Sequence, residues 1–402
     1  MAAADDQDAR DDAAFPSGLR ILHIMRAPVG GLFRHVADLT RAQAASGCKV
    51  GVVADSLTGG EDAERILGEL SPHLALGVTR LPMRRLPHPD DLRIAWRIAS
   101  RVRELRPDIV HGHGAKGGLY ARLPAVLPIF PSADHRPARA YTPHGGSLHF
   151  RPNSLPGRVF FTAELIMGRV TDLMPFESDY ARRRFSETVE PPRAHAPVVH
   201  NGLSPQEFEP VAPTPDAADF IFIGEMRVAK GVEDLLRAFA ALPGDLRLAL
   251  VGSGVDEARF RALAQDLGLA DRVTFHPRMP TRDALALGKI LVVPSRAESL
   301  PYIVLEAIAA QTPIVSTQVG GIPEIFGSQA SLLAPASDPA ALAVAMRAMI
   351  DMSPTTRAAL AEEMAGFVKD RFTIDLMNQG VLSGYRAALR RAERLRAAGA
   401  MH

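Results

Sequence analysis

The sequence predicts an α/β protein built from two doubly wound, parallel-sheet domains. Short apolar runs alternate with longer segments of helical periodicity, the alternation breaks at a proline-rich stretch and restarts after it, and glycine pairs recur where a strand gives way to a helix. Continuous apolar runs separated by helices describe strands covered on both faces, which is how parallel sheets are built. Ligands of such sheets sit beyond the carboxyl ends of the strands.

Size and composition agree with two domains. The 402 residues are enough for two separate cores, and 47% hydrophobic with 23% charged residues belongs to a globular protein. No apolar run reaches the roughly 18 residues of a membrane span. The opening MAAADDQDARDDAAFP is acidic where a signal peptide would be basic and then apolar, so a cytoplasmic location is expected. The single cysteine, Cys48, excludes an internal disulfide. A net charge of +1 argues against a nucleic-acid partner. Residues 20–200 nevertheless carry 25 Lys/Arg against 17 Asp/Glu, and residues 201–402 carry 20 against 23. The basic first half suits a phosphate-bearing acceptor or peripheral contact with a membrane surface; solvated decoration is the alternative.

Residues 1–17 read as a disordered, Asp- and Ala-rich tail. Asp6-Gln7-Asp8 within it has a cation-binding spacing, but no apolar anchor would hold it rigid. A first domain is expected over 18–202, with strands at 21–25, 50–54, 78–81, 109–111, 140–142 and 173–175 and helices such as 32–46, 91–105 and 155–169. Gly30-Gly31 follows its first strand, where a ligand would sit. His111-Gly112-His113 and His144-Gly145-Gly146 stand at later strand ends. Their spacings match no usual zinc pattern, so His111 and His113 read as structural or cleft-lining, and no metal is expected. Segment 150–185, ending in Arg182-Arg183-Arg184, joins Arg80, Arg84 and Arg85 as a basic, partly apolar face; ordinary helix packing is the plainer account. Residues 203–218, with four prolines, read as a linker. A second domain is expected over 219–373, with strands at 220–224, 248–252, 273–276, 290–294, 314–317 and 331–334 and helices from Val232, Asp256, Pro301 and Asp338. Residues 374–402 form a basic amphipathic helix with Leu376, Leu382, Tyr385 and Leu389 inward.

The most informative stretch is 292–314. Pro301 suits the first turn of a helix. That puts Glu298 in the loop before it and Glu306 in its second turn, with free backbone N–H groups, including those near Ser299 and Leu300, between them. One carboxylate can accept hydrogen bonds from hexose hydroxyls and the other from ribose hydroxyls, while a diphosphate rests on the helix N-terminus. A solvated loop acid and an exposed helix acid are the plainer reading of such a pair. Here the apolar neighbours Tyr302 to Leu305, Ala307 and Ile308 make the helix mostly buried, and a charge on it needs a partner. Arg227 and Lys230 precede the helix from Val232, so both cations can converge on the same diphosphate. Neither a G-x-G-x-x-G fingerprint nor a G-x-x-x-x-G-K-[ST] loop is present.

Pro294-Ser295, Glu298, Glu306-Ala307, Pro313, Gly320-Gly321 and Glu324 together resemble the donor-binding signature of the family-4 retaining glycosyltransferases, and the resemblance runs from about Ile21 to Phe372. Leu300 and Gln311 depart from it at places where that family often has glycine. The resemblance implies the GT-B architecture, two Rossmann-like domains facing a central cleft, with the last helix crossing back to the first domain. It implies a metal-independent, retaining transferase with no cofactor, which moves a hexose from a nucleoside diphosphate sugar to a glycan or lipid-linked glycan acceptor. His144 matches the histidine beside the transferred sugar, Lys230 the lysine on the diphosphate, and Gly30 and Gly31 the loop facing the donor phosphates. Gly252 matches a turn lining the nucleotide pocket, and Arg278 lies where the base can stack. The family's arginine more often stands where this chain has Glu225, so Arg227 has to reach the phosphates from two positions later. A sugar-nucleotide epimerase of the same architecture and a non-catalytic nucleotide-sugar-binding component remain as alternatives.

Overall fold

A computed structural model describes residues 18–127, 129–130, 135–145 and 155–399. The expected tail, with Asp6-Gln7-Asp8, and residues 150–154 of the basic segment lie outside them. Two five-stranded parallel sheets organise the chain, which divides into two compact units: one runs up to His200 and resumes at Ile374, the other is Asn201–Thr373.

Unit 1 runs β1 (Arg20–Met25), α1 (Gly30–Ala45), β2 (Lys49–Asp55), α2 (Gly60–Leu70), β3 (Gly77–Leu81), α3 (Asp90–Leu105), β4 (Ile109–His113), α4 (Gly114–Val126), β5 (Ala138–Thr142), α5 (Leu155–Gly168) and α6 (Asp179–Thr188). Unit 2 runs β6 (Ala218–Ile223), α7 (Val232–Ala240), β7 (Leu248–Val251), α8 (Glu257–Asp266), β8 (Val273–His276), α9 (Thr281–Leu285), β9 (Gly288–Val293), α10 (Tyr302–Ala309), β10 (Ile314–Ser316), α11 (Ile322–Phe326), α12 (Pro339–Asp351) and α13 (Pro354–Lys369). The final helix, α14 (Ile374–Gly399), belongs to unit 1 and packs on α1 and β5. The strand orders are β3-β2-β1-β4-β5 and β10-β9-β6-β7-β8.

Both sheets are covered on two faces, which is why their strands read as unbroken apolar runs. In β1, Ile21 and Met25 pack with α1, α2 and α14 through Val36, Leu67 and Val381, while Leu22 and Ile24 point the other way, to Ile94 and Ile98 of α3 and Tyr120 of α4. In β6, Phe220 and Phe222 face α7 and α12, and Ile221 faces α10 and α13. Cys48 is buried, and desolvation pushes its thiol up to about 11.

Two expected strands are absent. Residues 173–175 make single bridges at Leu173 only: before it the buried Asp172 carboxylate takes the Arg139 N–H at 2.9 Å, and after it Pro175 has no N–H to donate to the next rung. Residues 331–334 contribute one bridge, Ala334 to Thr317, after a 3-10 helix over Gly327–Leu332. Helix α1 starts at Gly30, not at Leu32, so the glycine pair is its first turn. Pro301 is the N-cap of α10, one position before the expected place. Gln311 lies at φ +56°, the left-handed region that favours glycine, so the backbone there is one that glycine suits and glutamine adopts at a cost. The basic face is partly neutralised: Arg80 faces Glu64, Arg84 faces Asp90, and Arg182 and Arg183 face Asp179. Among the described residues, no helix is long and apolar enough to cross a membrane.

Unit 1 also buries an ion pair. Arg122 donates to Glu164 at 2.9 Å and stacks 3.8 Å over the Tyr141 ring, while the Tyr141 hydroxyl donates to the other Glu164 oxygen at 2.7 Å. Removing one partner strands a buried charge, so Glu164→Ala should destabilise the protein by about 3–5 kcal/mol. Thermal unfolding checks this, and an unchanged midpoint contradicts it.

Candidate functional site

In unit 2 the chain lays down β6, β7 and β8 in one direction and then crosses to β9 and β10 on the other side of β6. The order therefore reverses between β6 and β9, and that switch point is where an open α/β sheet leaves a crevice for a ligand. Lys230 stands in the turn after β6 and Glu298 in the turn after β9. Across the switch point, Lys230 Nζ donates to Glu298 Oε1 at 2.6 Å, and Ser295 Oγ donates to the same oxygen at 2.7 Å. The Glu298 side chain is 10% exposed and that of Lys230 22%. Next to them Arg296 grips Asp234 with both arms at 2.7 Å, tying the β9 turn to α7.

Glycines bring these turns together backbone against backbone. A Cβ at Gly231 (φ +70°) would lie 1.8 Å from the Pro294 carbonyl oxygen, and one at Gly320 (φ +60°) 2.1 Å from that of Glu298. Gly252 is equally tight, 2.0 Å from the Gly224 oxygen. Only glycine permits both the dihedrals and the approach. Gly321 N–H donates to the Ser299 carbonyl at 2.6 Å, joining the β10 turn to the same surface.

The other expected donor residues are placed as follows. Glu306 is half-buried in the second turn of α10, between fully buried Leu305 and Ala307. Leu300 points into the apolar core and its carbonyl accepts from Asn201 at 2.9 Å, so it offers a ligand backbone alone. Arg227 does not converge with Lys230: its guanidinium lies 3.2 Å from Glu225 and is half exposed. Arg278 is exposed in the loop after the edge strand β8.

In unit 1, Gly30 and Gly31 follow β1 and His144 follows β5, with φ +50° at His144. His144 ends a chain of imidazoles. Its Nε2 lies 3.0 Å from His113 Nδ1, His113 Nε2 lies 2.9 Å from His23 Nδ1, and His23 Nε2 lies 2.8 Å from Gln43 Oε1. With the Gln43 oxygen accepting, each of the three histidines carries its proton on Nε2. His111 is held separately, by the Tyr385 hydroxyl of α14 at 2.7 Å and by Thr142 Oγ1 at 2.9 Å. Parallel register makes the cluster, since β1 and β4 pair His23 with His111 and Met25 with His113. His35 of α1 completes it, its ring 4.8 Å from that of His144. Two trios, His23/His111/His113 and His35/His113/His144, each bring one ligand nitrogen per residue within 4.8 Å of one another. The two-residue spacing of His111 and His113 shows that they share a sheet face, but His23, His35 and Gln43 are brought in by register and packing.

Residues 29–207 match the family model described as Glycosyltransferase Family 4, and residues 217–352 the one described as Glycosyl transferases group 1. The chain belongs to this glycosyltransferase family. The chain is 32% identical over 246 residues to the D-inositol 3-phosphate glycosyltransferase of Acidothermus cellulolyticus, covering 57% of this chain and 52% of the relative. It is 27% identical over 379 residues to the glycogen synthase of Mycobacterium tuberculosis, covering 86% and 87%. The chain spans about half the length of the Acidothermus relative, and 34% and 40% of two further D-inositol 3-phosphate glycosyltransferases. Anabaena HepE, solved in complex with UDP and also with UDP-glucose, shares the fold. In the UDP complex the TM-score is 0.71 at 16% identity, covering 90% of this chain and 98% of that one.

Burial lowers the pKa of His23 to about 4, helped by the neighbouring His35, and holds His111 and His113 well below 6.5, helped by their fellow imidazoles. Unfolding frees these rings to titrate near 6.5, so below that pH the unfolded chain binds more protons than the native one. Stability should be level above about pH 7 and fall as pH drops from about 6.5 toward 4. The thermal midpoint measured across this range checks the sign, and His23→Gln should make the decline shallower. A flat profile contradicts the buried, neutral cluster.

Proposed function

We propose that the chain is a retaining, metal-independent hexosyltransferase that moves a hexose from a nucleoside diphosphate sugar to a hydroxyl of a glycan or lipid-linked glycan, in cell-surface polysaccharide biosynthesis. The observation that carries this reading is the Lys230–Glu298 contact at the switch point of unit 2. A diphosphate takes Lys230 from Glu298, and sugar hydroxyls donate to the freed carboxylate, so neither charge is left unpaired when the donor binds. Glu306 receives the ribose hydroxyls, and the amides of the glycine turns, with those near Ser299 and Leu300, cradle the phosphates. Arg227, on an exposed side chain, swings from Glu225 to the departing diphosphate, and Arg278 stacks on the base. The resemblance assigns His144 to the transferred sugar and the amides at Gly30 and Gly31 to the donor phosphates.

In this reading the bond from the anomeric carbon to the diphosphate oxygen breaks as the acceptor oxygen bonds to the same face of that carbon. The acceptor proton passes to the departing diphosphate, whose charge Lys230 neutralises. The family match, the glycosyltransferase relatives and the UDP-glucose complex of HepE support the donor class. On this reading the reaction takes place in the cytoplasm, next to the membrane when the acceptor is lipid-linked.

Lys230→Ala should weaken nucleotide-sugar binding without unfolding the protein and lower kcat by about a hundredfold to a thousandfold. Glu306→Gln should weaken nucleotide-sugar binding by about tenfold, at an unchanged melting temperature. Calorimetric titration and a mass-spectrometric transfer assay check both. Normal donor binding by either variant overturns the site, a C2-inverted sugar nucleotide as sole product makes the protein an epimerase, and saturable binding without turnover makes it a binding component.

A further inference from the structure

The transferase reading gives no task to His23, His35, His113 or Gln43. We propose that His35, His113 and His144 form a binding site for a zinc-class divalent cation, held by three imidazoles with a fourth position open to water. His35 and His113 are 3% and 1% exposed, while His144 keeps part of its surface and gives a route in. Their ligand nitrogens lie within 4.8 Å of one another, and His113 Nδ1 is 3.0 Å from His144 Nε2. Tetrahedral ligands at about 2.0–2.1 Å from zinc are separated by about 3.4 Å, so this pair opens by a few tenths of an ångström while His35 closes in.

The surroundings are those of a ligand set. A metal-bound histidine usually donates its other ring N–H to an outer partner that fixes its tautomer. His113 does so: Nε2–H donates to His23, which donates in turn to Gln43, and the Nδ1 lone pair is turned toward His144 Nε2. Three imidazoles without a carboxylate select zinc, copper or nickel over magnesium or calcium. Binding needs no net proton release, since the His144 proton moves from Nε2 to Nδ1 and the ring stays neutral. The inner trio is less suited. Both His111 nitrogens are held by Tyr385 and Thr142, both His23 nitrogens by Gln43 and His113, and all three rings are buried.

This cation takes no part in the transfer. Its binding stands apart from the proposed activity, but its consequence rests on that reading: with His144 ligated, zinc inhibits transfer and a chelator restores it.

The test uses the full chain, stripped with chelator, dialysed against zinc chloride and analysed for bound metal, with cobalt(II) as the spectroscopic probe. The wild type should hold one zinc per chain and show the visible absorption of four-coordinate cobalt. Gln43→Leu should weaken zinc about tenfold to a hundredfold by loosening His113, and His35→Gln at least as much. His73→Gln, at an exposed histidine elsewhere, should leave the stoichiometry at one. A wild type without bound zinc overturns the proposal, as does an unchanged affinity in both His35→Gln and His144→Gln, whose folding circular dichroism verifies. Because binding is measured without substrate, zinc uptake without transfer counts against the transferase reading alone, and transfer without zinc uptake against this site alone.

Discussion

Unit 2 is organised around one charge pair held across the point where its strand order reverses. Lys230 and Glu298 come from turns that are distant in sequence, and they meet because Gly231 and Gly320 let the backbone of one turn rest on that of the next. A β-carbon at either glycine would separate those turns. The pair also keeps a lysine and a carboxylate compensated in a part-buried place, where either alone would be costly. Such a site is poised for a ligand that carries both an anion and hydroxyl donors, since it can exchange one set of partners for the other.

Unit 1 solves a different problem. Its sheet buries four polar rings, His23, His111, His113 and Tyr385, and satisfies them with one another and with Gln43 and Thr142. Burial keeps the imidazoles neutral, so the cluster is a network of dipoles in place of a set of cations. Helix α14 supplies Tyr385, which makes the last part of the chain a member of the first unit's core.

Much of this was legible in the sequence because strands buried on both faces leave an unambiguous apolar signature. Helix starts were legible to within two residues at Gly30 and Pro301. The misread strands at 173–175 and 331–334 are short apolar runs whose pairing is set by a buried side chain or a preceding 3-10 turn, neither of which periodicity records. At the site, Lys230 and Glu298 were each identifiable, but their mutual contact was not. The pull of Glu225 on Arg227 was equally invisible, since each depends on which turns the glycines bring together. The histidine network was hidden for a related reason: it is made by register between β1 and β4, which pairs His23 with the distant His111.

The most direct measurement is a crystal structure of the protein with a bound nucleoside diphosphate sugar. In that complex Lys230 Nζ should leave Glu298 for a phosphate oxygen while the Glu298 carboxylate accepts from the sugar hydroxyls. A donor bound elsewhere, with the Lys230–Glu298 contact intact at its 2.6 Å spacing, would contradict it.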